Sequence, residues 1–406
     1  MDNKIIKQTF NEWRSNIWLV LELLVVSVVL WYVVDFVYTR AVLYARPLGF
    51  DTENCFYIEI GEDEDDSDAE LSDELEADAH RQILARLQRH PDVEAACLSL
   101  AAHPYSLSRY NTALAVDTLV LPTRLRMTTP DFFRVFRISG LRGETEDQLA
   151  EILEQGKLVA AENTLHHLAD NATRMRVSLY GDTLTTMPIG ALIPAMRYSN
   201  FAQADEDRTT LRLLPPDQYG DARDFSVRVK PGAAAGFKER FLATAGNDFT
   251  IGPYFVSDVK SFDEIKERTH RDERLRLRNY IVVLAFLLVN IFMGLLGTFW
   301  FRTQQRIKDI AIRKVAGATR SDIFRLLICE GLLLLSVSTP PAFLIDADIA
   351  HLELNALLDN SYLDWGRVLI EAGITYVLMV AMICLGISVP AWRAMRIDPA
   401  DALRGE

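Results

Sequence analysis

Residues 280–301 form an apolar stretch without a single charged residue. At ~1.5 Å of rise per helical residue, this stretch is long enough to cross a hydrocarbon core of ~30 Å. Three less uniform stretches of similar length lie at residues 17–38, 326–345 and 368–389. The sequence therefore predicts four transmembrane helices, with a buried core helix as the alternative for the third and fourth.

Four carboxylates interrupt the less uniform stretches. Glu22 and Asp35 lie in the first, Glu330 in the third and Glu371 in the fourth. Asp35, Glu330 and Glu371 fall near the ends of their stretches, where a charged side chain can reach the membrane interface. Glu22 lies further inside, and the sequence assigns no role to it.

The loop charges predict how the four helices are oriented. Residues 302–325 carry seven Lys or Arg against two Asp, whereas residues 346–364 carry five acidic residues and no basic one. Basic loops are retained in the cytoplasm, so residues 302–325 are predicted there, together with both termini. The predicted segments outside the spans are a cytoplasmic N-terminal segment (1–16), an extracytoplasmic domain (39–260), a stalk helix (261–279), a short extracytoplasmic loop (346–367) and a cytoplasmic tail (390–406).

The large insertion after the first span has a mixed α and β pattern. Strands are predicted at residues 55–60 and 93–100 around a helix at residues 72–89, and further strands at 211–214 and 225–230 precede a helix near 236–245. Charges of both signs alternate over residues 261–278, which predicts a solvated stalk helix that runs into the second span. The net charge of −13 is concentrated in this insertion, mainly over residues 62–78, which excludes nucleic acid as a partner of this face. We interpret residues 62–78 as a solvated loop that leads into a helix, since no calcium-loop pattern is present.

Catalytic motifs are absent from the sequence. The chain has no phosphate-binding Gly-rich loop with Lys and Ser or Thr, no Gly-x-Ser-x-Gly, no His-Glu-x-x-His and no Cys-x-x-Cys. We therefore expect no catalytic residue, no metal site and no cofactor bound by this chain. Cys55 and Cys97 lie on predicted strands in an oxidising compartment, so a disulfide between them is predicted as one of two outcomes.

The basic segment at residues 302–325 has the pattern of two short helices. Ile307, Ile310, Ala311 and Val315 recur at helical spacing on one predicted face. Gly317 is a natural helix stop, and Thr319 with Asp322 three residues later forms a capping box for the next helix. The sequence predicts a helix, a glycine turn and a second helix, which lie at a membrane surface or dock on a partner.

Two motifs of this chain resemble FtsX/MacB-type ABC permeases. Residues 306–325 are similar to the cytoplasmic coupling segment of that family, which precedes a span with an early Glu, here Glu330. Residues 390–404 resemble the family's terminal Pro-Ala segment, and residues 129–136 and 158–163 are more distantly similar to its periplasmic domain. The resemblance implies an α-helical membrane protein with four transmembrane helices and a large mixed α/β extracytoplasmic domain between the first and second.

The resemblance also implies a function and a set of coupling residues. The chain would be a permease subunit in the bacterial inner membrane that works as a dimer, with a second copy or a paralogous permease. A separate cytoplasmic ATPase would use ATP, and its movement would be transmitted mechanically to the periplasmic domain for export, efflux or lipoprotein handling. The implied contacts with the ATPase are Arg306, Ile307, Ile310, Ala311, Arg313, Lys314, Gly317, Ala318 and Arg320.

Further partners and alternative functions follow from the same resemblance. A periplasmic adaptor, an outer-membrane channel and membrane lipid are expected partners. A signalling scaffold that regulates a cell-wall hydrolase or a sensor through its extracytoplasmic domain has the same membrane features. A membrane-anchored enzyme is the weakest alternative, because no catalytic set is visible.

Overall fold

The protein is described by a computed structural model that covers residues 13–63, 73–106, 111–116, 119–164, 176–179, 186–197, 199–201, 208–305, 307–351 and 365–396. The chain divides into two compact units. The helical unit consists of Met1–Val42 and Arg274–Glu406, and the sheet unit of Leu43–Glu273.

The helices and strands are numbered separately in chain order. The helices are α1 (Trp13–Ala45), α2 (Asp73–Arg89), α3 (Phe132–Phe136), α4 (Glu146–Glu154), α5 (Phe237–Asp248), α6 (Phe262–Thr269), α7 (Arg271–Gln305), α8 (Ile307–Val315), α9 (Arg320–His351) and α10 (Trp365–Arg396). The strands are β1 (Cys55–Glu62), β2 (Val93–Leu100), β3 (Asn111–Val116), β4 (Leu119–Thr128), β5 (Leu158–Ala161), β6 (Arg176–Leu179), β7 (Thr186–Ile193), β8 (Thr209–Leu213), β9 (Asp224–Val229) and β10 (Tyr254–Ser261).

Within the described part of the chain, four helices are long and apolar enough to cross a membrane. They comprise Ile17–Ala45 of α1, Arg271–Gln305 of α7, Arg320–Ala350 of α9 and Trp365–Arg393 of α10. Each is longer than the apolar stretch that predicted it, because a helix pairs its own backbone groups and can continue into polar sequence. The predicted fold class, a helical membrane protein with a mixed α/β domain, is confirmed.

The core of the helical unit joins side chains of every long helix. Leu23 of α1, Phe299 of α7, Leu334 of α9 and Ile383 of α10 belong to one cluster. Gly331 allows α9 and α10 to approach closely, since a Cβ there would lie 2.6 Å from the Ile387 side chain. The bundle therefore depends on small residues as well as on apolar area.

The sheet unit is built on one sheet of ten strands. The strand order is β10-β1-β9-β2-β4-β3-β6-β7-β5-β8, and β4 also pairs with β8. This second pairing closes β4, β3, β6, β7, β5 and β8 into a ring. Alternate residues of β9 face opposite sides, so Phe225, Val227 and Val229 enter a core with α2 and α5. The other large core contains α3 and α4.

A buried arginine connects β9 with two other segments of the sheet unit. Arg228 donates from Nε to the Val135 carbonyl (2.6 Å), from Nη1 to the Glu53 carbonyl (2.8 Å) and from Nη2 to the Asp51 carbonyl (2.9 Å). Its guanidinium also lies 3.4 Å from the Asp51 carboxylate. The charge is thus compensated in the interior, as a buried arginine requires.

The predicted disulfide between Cys55 and Cys97 is not formed, and both cysteines are free and buried. Strand β9 lies between β1 and β2, with Cys55 opposite Arg228 and Cys97 opposite Ser226. Two interstrand spacings of ~4.8 Å separate β1 from β2 by more than the ~7 Å between α-carbons that a disulfide can bridge. Burial raises the pKa of Cys55 to about 12 and that of Cys97 well above its usual value.

The predicted stalk helix at residues 261–279 is not continuous. Helix α6 ends at Thr269, and α7 begins at Arg271. His270 between them is buried and packs edge-on against Tyr105 at 5.3 Å and Phe201 at 5.1 Å. These long-range ring contacts hold the chain in the sheet unit at the point where the charge pattern predicted uninterrupted helix. Most of the predicted acidic loop, residues 64–72, lies outside the described residues.

Candidate functional site

The segment after α7 has the predicted helix, turn and helix. Gly317 follows α8 with φ +98°. Its backbone N–H donates to the Lys314 carbonyl (3.0 Å), and the Ala318 N–H donates to the Arg313 carbonyl (3.0 Å). These two bonds form a Schellman motif, in which glycine is favoured because the left-handed conformation strains other residues. The predicted helix stop is confirmed.

Helix α9 starts with the predicted capping box. The Thr319 N–H and hydroxyl donate to Asp322 Oδ2 at 2.9 Å and 2.7 Å, and the Asp322 N–H donates to Thr319 Oγ1 at 3.3 Å. The side chains thereby satisfy amides that would otherwise lack partners at the helix start. Since both sides of the turn are capped, α8 and α9 form a defined hairpin.

Two residues of the predicted partner face of α8 are buried in the structure. Ile310 and Ala311 are only 5% and 2% exposed, and Ile310 belongs to the core of the helical unit with Ile323 and Leu327 of α9. Their side chains are therefore not on the surface of this chain, and their role as contacts with an ATPase stays a prediction. Ile307 is partly exposed.

The outward face of α8 carries a different set of residues. Ile312 and Val315 are 57% and 69% exposed, and Lys308 is also exposed. The spacing of i, i+4 and i+7 places these three residues on one face. Val315, which the spacing alone grouped with Ile310, thus belongs to the opposite side of the helix.

The predicted basic residues flank this exposed face. Arg313 and Lys314 are partly exposed, and Arg320 is exposed at the start of α9. Ala318 is partly exposed in the turn. Arg306 lies outside the described residues. We name Lys308, Ile312, Arg313, Lys314, Val315 and Arg320 the hairpin surface.

The ends of α7 and α10 are joined by a contact that the sequence did not reveal. The guanidinium of Arg393 lies over the Trp300 ring, 4.8 Å from its centroid. Such a cation–π contact contributes ~0.5–1 kcal/mol at an exposed site. It connects the C-terminal Pro-Ala segment to the end of α7 that precedes the hairpin.

A second cluster joins the two ends of the sheet unit's chain. The Phe201 ring lies 5.5 Å from Tyr44, near the start of the unit, and 5.1 Å from His270, near its end. The Asn200 side-chain amide donates to the Tyr44 carbonyl (3.3 Å), and Lys266 Nζ lies 6.0 Å from the Tyr44 ring centroid. Within the sheet unit, the incoming and outgoing segments therefore meet at Phe201. Separations of more than 60 residues along the chain left no sequence signal for this cluster.

No group of three or more His, Cys, Asp or Glu side chains with a metal-binding arrangement occurs among the residues that the structure describes. The hairpin surface is instead basic and apolar. Its chemistry suits contact with a protein or lipid rather than catalysis.

The model of the FtsX-like permease C-terminal family matches residues 281–399, which extend from α7 through the hairpin to the end of α10. These residues form an FtsX-like permease C-terminal domain. The resemblance that the motifs indicated is thereby confirmed. Permeases of this family are transport subunits that work with a cytoplasmic ABC ATPase, so the FtsX-like domain supports an ABC-type permease role.

Solved structures similar to the chain include two extracytoplasmic regions. One is the extracellular domain of the noncanonic ABC-type transporter YknZ from Gram-positive bacteria, with 12% identity and a TM-score of 0.31, covering 50% of this chain and 100% of that one. The other is the periplasmic region of MacB from Actinobacillus actinomycetemcomitans, with 13% identity and a TM-score of 0.32, covering 54% of this chain and 93% of that one. No curated protein matches the chain.

Proposed function

We propose that this chain is the permease subunit of a MacB/FtsX-like ABC complex, in which a separate cytoplasmic ATPase drives movement of the sheet unit. The observation that supports this proposal best is the hairpin of α8 and α9. One face of α8 is built into the helical unit, while the hairpin surface stays exposed. A partner that pushes on this surface therefore acts directly on the interior of the unit.

The hairpin surface has the composition of a protein contact. Ile312 and Val315 supply an apolar centre, and the flanking Lys and Arg would face acidic groups at the rim of the ATPase. Full burial of an aliphatic side chain contributes ~1.5–3 kcal/mol. Because Ile312 and Val315 are already partly covered in the free chain, their burial under a partner could together contribute ~2–4 kcal/mol to association. The charges would add mainly to association rate and orientation.

Transmission along the chain would use α7. This helix is continuous over 35 residues, which corresponds to ~50 Å. A continuous helix transmits displacement better than a loop does. At the sheet unit, the displacement would act on His270 and hence on Phe201, whose ring also contacts Tyr44 near the end of α1.

The proposed setting is a bacterial inner membrane, with both termini in the cytoplasm and the sheet unit in the periplasm. A second permease copy or a paralogous permease would complete a dimer, and a periplasmic adaptor with an outer-membrane channel would receive the cargo. The cargo class is an exported compound, a peptide or a lipoprotein. ATP would be bound by the partner alone, since the chain has no phosphate-binding loop.

Site-specific photocrosslinking tests the hairpin surface. A photoreactive amino acid replaces either Ile312 or Ile310 in the full chain, in membranes of the native host. We expect position 312 to form an adduct with an ABC ATPase, identified by mass spectrometry, and position 310 to form none. The variant Ile312→Asp/Val315→Asp should still insert in the membrane but no longer retain the ATPase during purification.

Two outcomes would contradict the proposal. Adducts with lipid alone at position 312 would make the hairpin a membrane-binding element. ATP hydrolysis by the purified chain without a partner would show that no separate ATPase subunit is required.

A further inference from the structure

A buried group of ionisable side chains connects α1 with α10 inside the helical unit. Asp35 of α1 is 1% exposed and Glu371 of α10 is 0% exposed. Arg367 lies between them, with Nη2 3.5 Å from Asp35 Oδ1 and Nε 3.5 Å from Glu371 Oε1. Both carboxyl groups belong to helices long and apolar enough to span a membrane. Charged groups at such positions are unfavourable and are retained mainly where they function.

The hydrogen bonds of this group require a proton. The Asp35 and Glu371 carboxyls share the Arg367 guanidinium and lie within hydrogen-bonding reach of each other. Glu371 Oε2 is buried, and none of the described residues provides it with an N–H or O–H donor. Ionised carboxylates only accept hydrogen bonds, so two of them can pair only when one holds a proton.

The charge balance leads to the same conclusion. Two ionised carboxylates and one guanidinium would leave a net charge of −1 at a site where both carboxyl groups are buried. One bound proton makes the group neutral. Like charges in direct contact do not ionise together, as in other carboxyl pairs that share a proton.

We propose that Asp35 and Glu371 form a proton-binding site that holds α1 against α10. The proton lies between the two carboxyl groups, and Arg367 neutralises the remaining negative charge. Thr39 of α1 assists, since its hydroxyl lies 3.5 Å from Glu371 Oε1 and 2.7 Å from the Asp35 carbonyl. The buried hydroxyl of Thr375, one turn beyond Glu371, is a further polar group on α10.

Other ionisable groups lie in this part of the helical unit. The Arg40 guanidinium of α1 lies over the Phe36 ring, 5.5 Å from its centroid. The same Phe36 ring stacks on Tyr280 of α7, with 4.0 Å between the two centroids. Asp346 of α9 is also buried.

After release of the proton, the Asp35 and Glu371 carboxylates would repel each other, and one buried negative charge would be left uncompensated. The two helices would then separate or admit water at this point. Helix contact in the unit is thereby linked to proton concentration. This link is independent of the hairpin surface and of any ATPase.

Infrared difference spectroscopy of the full chain in lipid nanodiscs tests the site. We expect a band of a protonated carboxyl in the parent that disappears as the pH rises. Glu371→Gln should remove this band, and Asp35→Asn should do so as well, because each amide supplies a permanent N–H donor in place of the proton. Asp348→Asn, which changes an exposed carboxyl of α9, should leave the band unchanged.

Thermal unfolding provides the second measurement. The unfolding midpoint of the parent should fall as the pH rises through the same range, and this dependence should be lost in Glu371→Gln. A band that persists in both amide variants would overturn the proposal. So would a midpoint that responds to replacement of Na⁺ by K⁺ at constant pH, because the ligand would then be a metal cation. If one amide variant fails to fold, the other variant decides.

Discussion

Gly317 offers the sharpest test of the hairpin. Its φ of +98° lies in the left-handed region, and a Cβ built there would meet nothing within 4 Å. The effect of a side chain is therefore confined to the backbone. For residues other than glycine, a left-handed conformation costs ~1–2 kcal/mol, and Gly317→Val should cost at least that much because its Cβ is branched.

This cost should appear as local opening of the turn. A change of 1–2 kcal/mol alters a local equilibrium by a factor of ~5–30. In Gly317→Val, the amide of Ala318, which donates to the Arg313 carbonyl, should exchange its hydrogen faster by about this factor. The measurement is hydrogen exchange of the full chain in nanodiscs, resolved by mass spectrometry.

A matched control separates backbone strain from a general effect of added volume. Gly297 lies within α7, and a Cβ there also meets nothing within 4 Å. In Gly297→Ala, hydrogen exchange at the Ala318 amide should therefore stay unchanged, and exchange within α7 should be unchanged or slower. The reason is that alanine favours the helix over glycine by ~1 kcal/mol. If Gly317→Val exchanged at position 318 like the parent, the turn would not depend on its glycine, and the argument for a defined hairpin would fail. With the ATPase bound, Gly317→Val should show reduced ATP-dependent movement of the sheet unit, measured by distances between spin labels.

Three further predictions concern the sheet unit. Arg228→Met should destabilise it by ~3 kcal/mol or more in denaturant titrations followed by hydrogen exchange, because buried carbonyls lose a charged donor; stability equal to that of the parent would contradict the buried network. Burial lowers the pKa of His80 from 6.5, so the unfolded chain takes up a proton that the folded one does not, and stability should fall as the pH drops from about 7 to about 5. The His80→Gln variant should show a smaller decrease over that range, and an equal decrease would refute the assignment. Cys55 and Cys97 should react with maleimide only after denaturation, and a mass that shows a disulfide would contradict the strand order.

Much of the architecture could be predicted from local sequence. Spans, strands and helix caps depend on residues within a few positions of one another, so their sequence patterns can be recognised without knowledge of the fold. The strands predicted at residues 55–60 and 93–100, for example, are rich in apolar residues, and both are present as β1 and β2. Their relative position could not be predicted, because β9 enters between them from more than 120 residues later in the chain. The predicted disulfide failed for that reason.

The helix, turn and helix of the candidate site could be predicted from the sequence, but the burial of each face of α8 could not. The pattern of α8 has apolar residues on two sides, and periodicity alone cannot decide which side meets the rest of the protein. The packing of Ile323 and Leu327 with Ile310 decides it, and leaves Ile312 and Val315 exposed. The sequence signal for the exposed face was the second apolar pair, Ile312 and Val315, at i and i+3 beside Lys314. Whether this pair is exposed or buried depends on that packing.

The sequence by itself determined the membrane-spanning segments, the glycine turn and the capping box, because hydropathy and backbone conformation are local properties. Only the tertiary structure decided which face of α8 is buried, where the stalk is interrupted at His270, and that Asp35 meets Glu371. Each of these depends on contacts between residues far apart in the chain. The energy of such contacts comes from packing and from the exclusion of water, which no short segment contains.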